Sequence, residues 1–331
     1  MGIHSLNCLR FNMVKILIAL GGNAIKQANE QGTKKEQMLN CDVTSKQIAA
    51  IIKDDPTRQI CLTHGNGPQS GNLALQQDIA KDKIAPQPLD IVGAMTQGQI
   101  GFMFQNRIQT NLAKEGINKQ CVCIINQVLV DINDPQFIGD NASKPVGNFY
   151  TQEEALALKN EKNWLVKNVK PSVTKGWRRV VPCPDPLSNV ERNSIRLLVD
   201  AGVIVIASGG GGIPVVQKDG ELVGVEAVID KDLAGQKLAE VIEADVFLIL
   251  TDVECACLNF GKPDVVKLIG EFHLPQMKEY YDAKHFLHGS MGPKVLACLR
   301  HVEKTGKRAI IASLDQAVAA LAEKAGTHII P

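Results

Sequence analysis

Short, unbroken apolar runs recur along the chain and limit the folds that it can adopt. Such runs are typical of interior strands of a parallel sheet, because both faces of these strands are covered. They occupy residues 15–20, 59–64, 121–130, 203–208, 246–253 and 308–313. Helical patterns lie between them, at about 42–53, 69–81, 94–115, 188–201, 231–243, 292–304 and 315–325. This alternation predicts an α/β fold in which helices cover both faces of a mainly parallel sheet.

Two segments interrupt the alternation. Residues 215–228 contain two short β-rich arms around Asp219 and Gly220, which predicts a tight hairpin. Residues 131–187 are rich in Pro, Asn and Lys, and this segment is too long for a plain connection in a compact domain. We therefore predict one main domain over 13–331, with an inserted, protruding lid subdomain over about 131–187. Residues 1–12 precede a second plausible start at Met13, and we expect this leader to be dispensable.

The composition excludes several classes of protein. The chain has 331 residues, 45% apolar and 21% charged, as in an ordinary globular protein. Its net charge of +1 without a basic block argues against nucleic-acid or membrane-surface partners, and no apolar run approaches the roughly 20 residues of a membrane span. Nine cysteines without a regular framework predict reduced thiols in the cytoplasm. Neither the cysteines nor the seven histidines have metal-site spacing, so we predict no metal held by protein ligands.

Three of the predicted strands end in glycine-rich turns. Glycine lets backbone amides approach an anion, and open α/β sheets bind ligands at the carboxyl ends of their strands. The turns are LGGNA at 20–24, HGNGPQ at 64–69 and SGGGGIP at 208–214. For any one of these glycines alone, a tight turn is the simpler explanation. Three such clusters after strands predict one phosphate-binding cleft.

Two common nucleotide-binding motifs do not fit these turns. The segment SGGGGIP is followed by Pro214 and the predicted hairpin, whereas a dinucleotide fingerprint is followed by a helix. The segment GSMGPK at 289–294 lacks the spacing of a P-loop, and Val295 stands where a P-loop has Ser or Thr. These departures argue against a nicotinamide enzyme and against a conventional P-loop kinase.

Three lysines have the context expected of phosphoryl transfer, which needs positive charge around the migrating group. Lys231 lies between Asp230 and Asp232 at a predicted helix start. Lys294 follows a Gly-Pro turn at the start of another helix, where free amides favour phosphate. Lys144 lies in the predicted lid. For Lys231 the alternative is an exposed lysine in a surface salt bridge, and for Lys144 it is simple solvent exposure.

A series of motifs resembles the carbamate kinases, a branch of the amino-acid-kinase family, from about residue 13 to 331. In chain order the motifs are LGGNAI, THGNGPQ, KPVGNFY, GWRRVVPCPDP, ASGGGGIPVV, GVEAVIDKDLAG, LTDV and GSMGPKV. The resemblance implies a three-layer αβα sandwich around an eight-stranded, mainly parallel sheet, a protruding lid and a homodimer. It implies reversible phosphoryl transfer between carbamoyl phosphate and ADP, giving ATP and carbamate, at the end of arginine catabolism. Mg²⁺ would accompany the nucleotide.

The resemblance also implies roles for the matched residues. Lys231 and Lys294 would neutralise the phosphates, Asp232 would orient these lysines, and Lys144 would hold carbamoyl phosphate from the lid. Residues expected near the phosphoryl group and the carbamoyl end are Gly21, Gly22, Asn23, Gly65, Asn66, Gly67, Gly209, Gly210, Gly211 and Gly212. Residues expected in the nucleotide pocket are Thr251, Asp252, Val253, Met291 and Gly292.

Two other functions remain open on the sequence. One is a different enzyme of the family, of the acetylglutamate or glutamate kinase type, and the segments KPVG and GSMGPK argue against it. The other is a non-catalytic nucleotide-binding regulator, which would not need Lys144, Lys231, Asp232 and Lys294 together. The chain departs from the resemblance after LTDV, where Cys255 and Cys257 are either inert packing residues or modifiable thiols.

Overall fold

The computed structural model describes residues 13–26, 30–287 and 289–331, so the predicted leader lies outside the described residues. The strands are β1 (Lys15–Leu20), β2 (Gln59–His64), β3 (Cys121–Cys123), β4 (Gln127–Val130), β5 (Lys144–Tyr150), β6 (Val166–Asn168), β7 (Trp177–Val181), β8 (Pro186–Asn189), β9 (Ile204–Ile206), β10 (Ile213–Lys218), β11 (Glu221–Gly224), β12 (Val246–Thr251), β13 (Ala256–Leu258), β14 (Val266–Leu268), β15 (Gly270–His273), β16 (Arg308–Ser313) and β17 (Thr327–Ile330). The helices are α1 (Lys34–Asp54), α2 (Gly67–Ala80), α3 (Leu89–Lys114), α4 (Gln152–Lys162), α5 (Arg192–Asp200), α6 (Lys231–Ile242), α7 (Leu274–Asp282), α8 (Met291–Thr305) and α9 (Ala317–Leu321).

An eight-stranded sheet forms the centre of the described residues. Its strand order is β15-β17-β16-β12-β1-β2-β9-β3, and each neighbouring pair is parallel except β16 and β17. Alternate residues of β1 face opposite sides, so that Ile16 and Ile18 pack with α1 and α3 while Leu17 and Ala19 pack with α6 and α8. The predicted fold class, a mainly parallel sheet between two helical layers, is confirmed.

The apolar run at 121–130 does not form one strand, and that prediction is wrong. β3 belongs to the central sheet, whereas β4 belongs to a second sheet of order β11-β10-β4-β8. The chain turns between them at Asn126, whose side-chain Oδ1 accepts a hydrogen bond from Ser208 N at 2.6 Å. The Asn126 N–H donates to Gln97 Oε1 at 2.9 Å. Side-chain oxygens therefore accept hydrogen bonds from the backbone N–H groups at the break, where a neighbouring strand would otherwise be needed.

The predicted hairpin is present as β10 and β11, which pair antiparallel. Asp219 and Gly220 form its turn with φ values of +51° and +86°. Two successive residues of positive φ suit a two-residue turn whose twist matches that of the flanking strands.

Residues 131–187 contain a small sheet that is separate from the central one. Its order is β5-β7-β6, both pairs are antiparallel, and α4 packs beside it. The small sheet lies against α2, because a Cβ built on Gly71 would be 3.7 Å from the Cα of Gly147. Lys162 Nζ and Asp78 Oδ1, 2.7 Å apart, join α4 to α2. The limits of a lid subdomain at 131 and 187 stay a prediction.

Candidate active site

The turns after β1 and β2 lie side by side, because these two strands are neighbours in the sheet. Gly65 N donates a hydrogen bond to Leu20 O at 3.3 Å. A Cβ built on Gly65 would lie 3.4 Å from Lys231 Cδ and 3.6 Å from Gly22 N. The first two glycine turns and one predicted catalytic lysine therefore lie in contact with one another at the carboxyl edge of the sheet.

The third glycine turn packs against the second. Ser208 and Gly210 have φ values of +52° and +68°, and a Cβ built on Gly210 would lie 2.1 Å from Asn66 Nδ2. Only glycine fits at residue 210, because a side chain would meet both unfavourable φ and an occupied space. Asn66 is fixed in turn, since its Nδ2 donates to Thr96 Oγ1 at 2.9 Å. The other three glycines of the turn face the protein interior. Gly209 faces His64, Gly211 faces Ile229 and Gly212 faces Val128.

Three predicted catalytic residues form one ion cluster, which we call the core cluster: Lys231, Asp232 and Lys294. Lys231 Nζ lies 2.5 Å from Asp232 Oδ1, and Lys294 Nζ lies 3.0 Å from Asp232 Oδ2. Asp230 caps α6 by accepting from Asp232 N at 2.9 Å, which fixes where the helix begins and hence where Lys231 and Asp232 point. Lys144 reaches the same place from β5 and lies 3.0 Å from Asp230 Oδ2.

The electrostatics of the cluster favour an anion. Burial acts to raise the pKa of Asp232, but the Lys231 and Lys294 ammonium groups outweigh it and lower that pKa to about 2. Burial lowers the pKa of Lys231, and the charge of Lys294 adds to this effect against the attraction of Asp232. Burial opposes the charge of Lys144 too, yet Asp230 leaves its pKa raised. Three ammonium groups against two carboxylates leave one positive charge for a ligand to neutralise.

Two cavities meet at Lys231 and Lys294. The lid-side cavity has a volume of about 520 Å³, and the sheet-end cavity about 420 Å³. Both are lined by Gly22, Lys231, Gly289, Ser290 and Lys294. The lid-side cavity adds Gly65, Asn66, Gly67, Lys144, Arg178, Gly210 and Asp232, and the sheet-end cavity adds Gly21, Thr251, Asp252, Ser313 and Asp315. A linear ligand lying across both would therefore have its middle at the two lysines.

Two helices begin at this cleft without a capping side chain. The N-cap residues are Asn66 for α2 and Ser290 for α8, and neither side chain accepts a hydrogen bond from its helix. Both residues line the lid-side cavity. Gly292 N–H is bonded to Leu287 O, and Pro68 and Pro293 have no N–H, so the amides that can attract phosphate oxygens are the others of these first turns, such as those of Gly67 and Met291.

A third, smaller cavity of about 160 Å³ adjoins the sheet-end cavity. Its lining includes four of the residues predicted for the nucleotide pocket, namely Thr251, Asp252, Val253 and Met291, and the thiol Cys257. Cys255 also touches it but is buried, and burial raises the pKa of this thiol to about 11, which makes it a poor nucleophile.

Besides Gly209, Gly211 and Gly212, which do not line the three cavities of this cleft, two other predicted site residues differ from the rest. Gly292 does not line the three cavities of this cleft, because it packs behind the wall and donates its N–H to Leu287 O at 2.9 Å. A Cβ there would lie 3.1 Å from that same oxygen, so its role in the wall is close packing. Asn23 lies in the short 3₁₀ turn Gly22–Ala24, and its side chain lies outside what the structure describes.

Some residues that line the cleft were not singled out from the sequence. Arg178 and Ser290 lie inside motifs already noted, GWRRVVPCPDP and GSMGPKV, but nothing local marked them. Asp315 follows β16, and the carboxyl end of that strand lies at the same sheet edge as β1 and β12. A search of each predicted strand end for polar residues would have found Asp315.

The described residues contain no group of three or more His, Cys, Asp and Glu side chains placed to hold a metal ion. In the same part of the chain, no helix has both the length and the apolar character needed to cross a bilayer.

Comparison with known proteins gives one consistent result. The amino acid kinase family matches residues 14–313. A carbamate kinase of Thermococcus kodakarensis is 53% identical over 320 residues, which cover 96% of this chain and 99% of that protein. A carbamate kinase of Trichomonas vaginalis is 43% identical, covering 96% and 100% respectively. A structure of carbamate kinase from Giardia lamblia bound to AMP-PNP is 41% identical, with a TM-score of 0.89 and coverage of 96% and 98%.

Proposed function

The chain belongs to the amino acid kinase family, and from this premise we propose that it moves a phosphoryl group reversibly between carbamoyl phosphate and ADP, giving carbamate and ATP. One observation carries the proposal beyond family membership: two cavities share Lys231 and Lys294 as their common wall. A phosphotransferase needs this arrangement, because donor and acceptor must approach one phosphoryl group from opposite sides. The resemblance to carbamate kinases extends the proposal to ATP formation at the end of arginine catabolism.

Carbamoyl phosphate is assigned to the lid-side cavity and the nucleotide to the sheet-end cavity. Thr251 and Asp252, from the predicted nucleotide pocket, line the sheet-end cavity, while Lys144 and the 65–67 turn line the other. The P–O bond to carbamate then breaks, and its electron pair stays on the carbamate oxygen. A β-phosphate oxygen of ADP forms the new P–O bond. No proton transfer and no covalent enzyme intermediate are needed.

The core cluster supports this reaction electrostatically. Lys231 and Lys294 are held by Asp232 at 2.5 Å and 3.0 Å, so the protein itself fixes their positions and little reorganisation is required when charge develops on the phosphoryl oxygens. Turn amides around Gly21, Gly22 and Asn23 are proposed to bind these oxygens as well. From the lid, Lys144 is proposed to hold the donor.

Magnesium is proposed to arrive with the nucleotide. Asp230 and Asp232 already accept hydrogen bonds from lysines, so the carboxylates of the core fit the binding of ammonium groups better than that of a metal. Asp252 and Asp315 line the sheet-end cavity and offer oxygen atoms of the kind that Mg²⁺ binds, commonly through its water ligands. When bound, the metal would neutralise charge on the nucleotide phosphates.

A coupled assay tests the proposal. Purified protein with carbamoyl phosphate, ADP and Mg²⁺ should form ATP, detected through hexokinase and glucose-6-phosphate dehydrogenase. In the reverse direction, ATP consumption is compared with carbamate, glutamate and N-acetylglutamate as acceptors. Turnover with either amino acid and none with carbamate would assign the chain to another member of the family. Nucleotide binding without turnover of any of these substrates would favour the regulator.

We also propose that two copies of the chain form a dimer through α3. Ile91, Met95 and Phe102 are 41%, 40% and 58% exposed, and their spacing places them on one face of this helix. Ile125, 53% exposed, extends the patch, since its Cδ1 would lie 3.9 Å from a Cβ on Gly98 of the same face. A contiguous apolar patch of this kind is typical of an interface between subunits.

The eight cysteines of the described part are free, which supports the proposed cytoplasmic location.

Phe102→Asp should convert the dimer to a monomer, because it places a charge in the centre of the patch. Light scattering after size exclusion measures the mass directly. Leu197→Asp is the matched control, since Leu197 is 70% exposed on α5 and lies outside the patch. A wild-type protein that is monomeric at assay concentration would refute the dimer.

A further inference from the structure

Among the described residues, Arg178 differs from the other cations around the cleft in having no acidic partner. Lys144, Lys231 and Lys294 each lie within 3.0 Å of a carboxylate oxygen. Across the described residues, no Asp or Glu oxygen lies within ion-pair distance of the Arg178 guanidinium. Its neighbour Arg179 lies 2.7 Å from Glu226 Oε2. A half-buried arginine without a counter-charge is costly to fold, which suggests that a ligand supplies the charge.

The guanidinium of Arg178 is nevertheless fixed in position. Its Nη2 donates to Gly147 O at 2.7 Å, and its carbon lies 4.9 Å from the centre of the Phe149 ring. Gly147 has a φ of +68° and lies where the pairing of β5 with β7 is irregular, so its carbonyl is available to Arg178. Nε of Arg178 is buried and has no hydrogen-bond partner. The group is held by one of its five N–H donors and by ring stacking, which leaves most of its hydrogen-bonding capacity unused.

Arg178 and Arg179 are adjacent in β7 but line different cavities. Successive residues of a strand point to opposite faces. Arg178 accordingly lines the lid-side cavity with Lys144, whereas Arg179 lines a separate cavity of about 240 Å³ together with Glu226. Arg178 does not line the sheet-end cavity, so it lies on the side of Lys231 and Lys294 that is away from the proposed nucleotide.

We propose that Arg178 binds the carbamoyl end of the substrate and stabilises the leaving carbamate. This inference rests on the proposed function. As the P–O bond breaks, negative charge passes to the carbamate group and is shared between its two oxygens. A planar guanidinium matches two such oxygens with two parallel hydrogen bonds, which an ammonium group cannot do. Arg178 therefore acts on the acyl group, while Lys231 and Lys294 act on the phosphoryl group.

Steady-state kinetics of Arg178→Ala test the inference in the ATP-forming direction. We expect kcat/KM for carbamoyl phosphate to fall about 10²-fold, the usual cost of removing one preorganised charged donor. The KM for ADP should change less than about threefold, because Arg178 lies outside the nucleotide cavity. Arg178→Lys should recover less than about a tenth of the lost activity, since lysine lacks the planar fork. Added guanidinium chloride should partly rescue Arg178→Ala but not Arg178→Lys.

Arg179→Ala is the matched control and should stay within about threefold of wild type for both substrates, because its ion pair lies in a different cavity and is partly exposed. ADP binding measured by calorimetry confirms that each variant is folded. Normal kcat/KM for carbamoyl phosphate in Arg178→Ala, or equal losses towards both substrates, would overturn the inference alone. A folded wild type that makes no ATP from carbamoyl phosphate would overturn the proposed function, and the inference with it.

Discussion

The core cluster and the lid present positive charge to the same cleft in different ways. Lys231 and Lys294 are 15% and 14% exposed, and both lie in the first turns of helices that pack on the central sheet. Lys144 is 35% exposed and lies on a three-stranded sheet of the 131–187 segment. We therefore propose different roles for these two groups of charges. Under the proposed function, the charges that stabilise the migrating phosphoryl group lie on helices of the central fold, and the charge that holds the acyl substrate lies on the small sheet.

The largest effect should come from Asp232→Asn, which breaks the core cluster at its centre. Two ammonium groups would then face each other without a counter-charge in a buried site. Removing one partner of a buried ion pair typically costs about 3–5 kcal/mol of unfolding free energy. Urea unfolding at pH 7 measures the loss. Asp185→Asn is the control, because Asp185 pairs with Arg300 at 2.6 Å while 48% exposed, and such surface pairs contribute about 0–1 kcal/mol.

The same variant gives a pH test with a defined sign. The pKa of Asp232 in the folded protein is lowered from 3.8 to about 2, so the unfolded chain binds its proton at higher pH than the folded chain does. The stability that this carboxylate contributes is fully present above about pH 4 and is lost as the pH falls through about 2. The difference in stability between wild type and Asp232→Asn should therefore narrow between pH 5 and pH 3. A constant difference across that range would contradict the assigned ionisation.

A smaller but still large effect is expected for Lys231→Ala. This variant removes a preorganised charge from the phosphoryl group, and kcat should fall about 10²-fold or more. Lys237→Ala on the same helix is the control, since Lys237 pairs with Glu240 at 3.3 Å and lines none of the three cleft cavities. Near-normal turnover of Lys231→Ala in the coupled assay would remove this lysine from the mechanism.

The smallest effect should come from Lys144→Ala in the lid. Lys144 is more exposed and already paired with Asp230, so water and the remaining cations replace part of its charge. We expect kcat/KM for carbamoyl phosphate to fall about tenfold, since partly exposed charges are screened. Raising the salt concentration should weaken wild-type activity in the same direction. Lys175→Ala is the lid control, because Lys175 is 61% exposed and pairs with Glu154 outside the cleft. A loss equal to that of Lys231→Ala would contradict the smaller contribution expected of Lys144.

The parts of the fold that depend on local pattern were predictable. Residues 15–20, 59–64 and 308–313 form strands with the predicted bounds, because continuous burial leaves a continuous apolar run. The polar start of α1 was missed, with the predicted start at 42 and the observed one at Lys34. That end is set by Thr33 and Glu36, whose side chains satisfy each other's backbone N–H groups in a capping box. Hydrophobic periodicity carries no information about such an end.

Features that depend on distant partners were not predictable. The break at Asn126 requires Ser208, which lies 82 residues away in sequence. Arg178 reaches the cleft through Gly147, 31 residues away, and its lack of a carboxylate can be recognised only after the surrounding chain is folded. β15 and β17, the last two strands at one end of the central sheet, likewise escaped notice, because strands of four residues have no long apolar run. The glycine turns and the lysines were found because each has a local signature.

The shared wall between the two large cavities has a consequence for kinetics. Under the proposed assignment, each substrate occupies its own cavity beside Lys231 and Lys294, so neither must leave before the other enters. We expect initial-rate plots at several fixed ADP concentrations to intersect, as for a ternary complex, and not to run parallel as for a ping-pong enzyme. A compound that links adenosine to an acyl group through a chain of phosphates would occupy both chambers at once, and such a bisubstrate inhibitor should bind more tightly than either half alone.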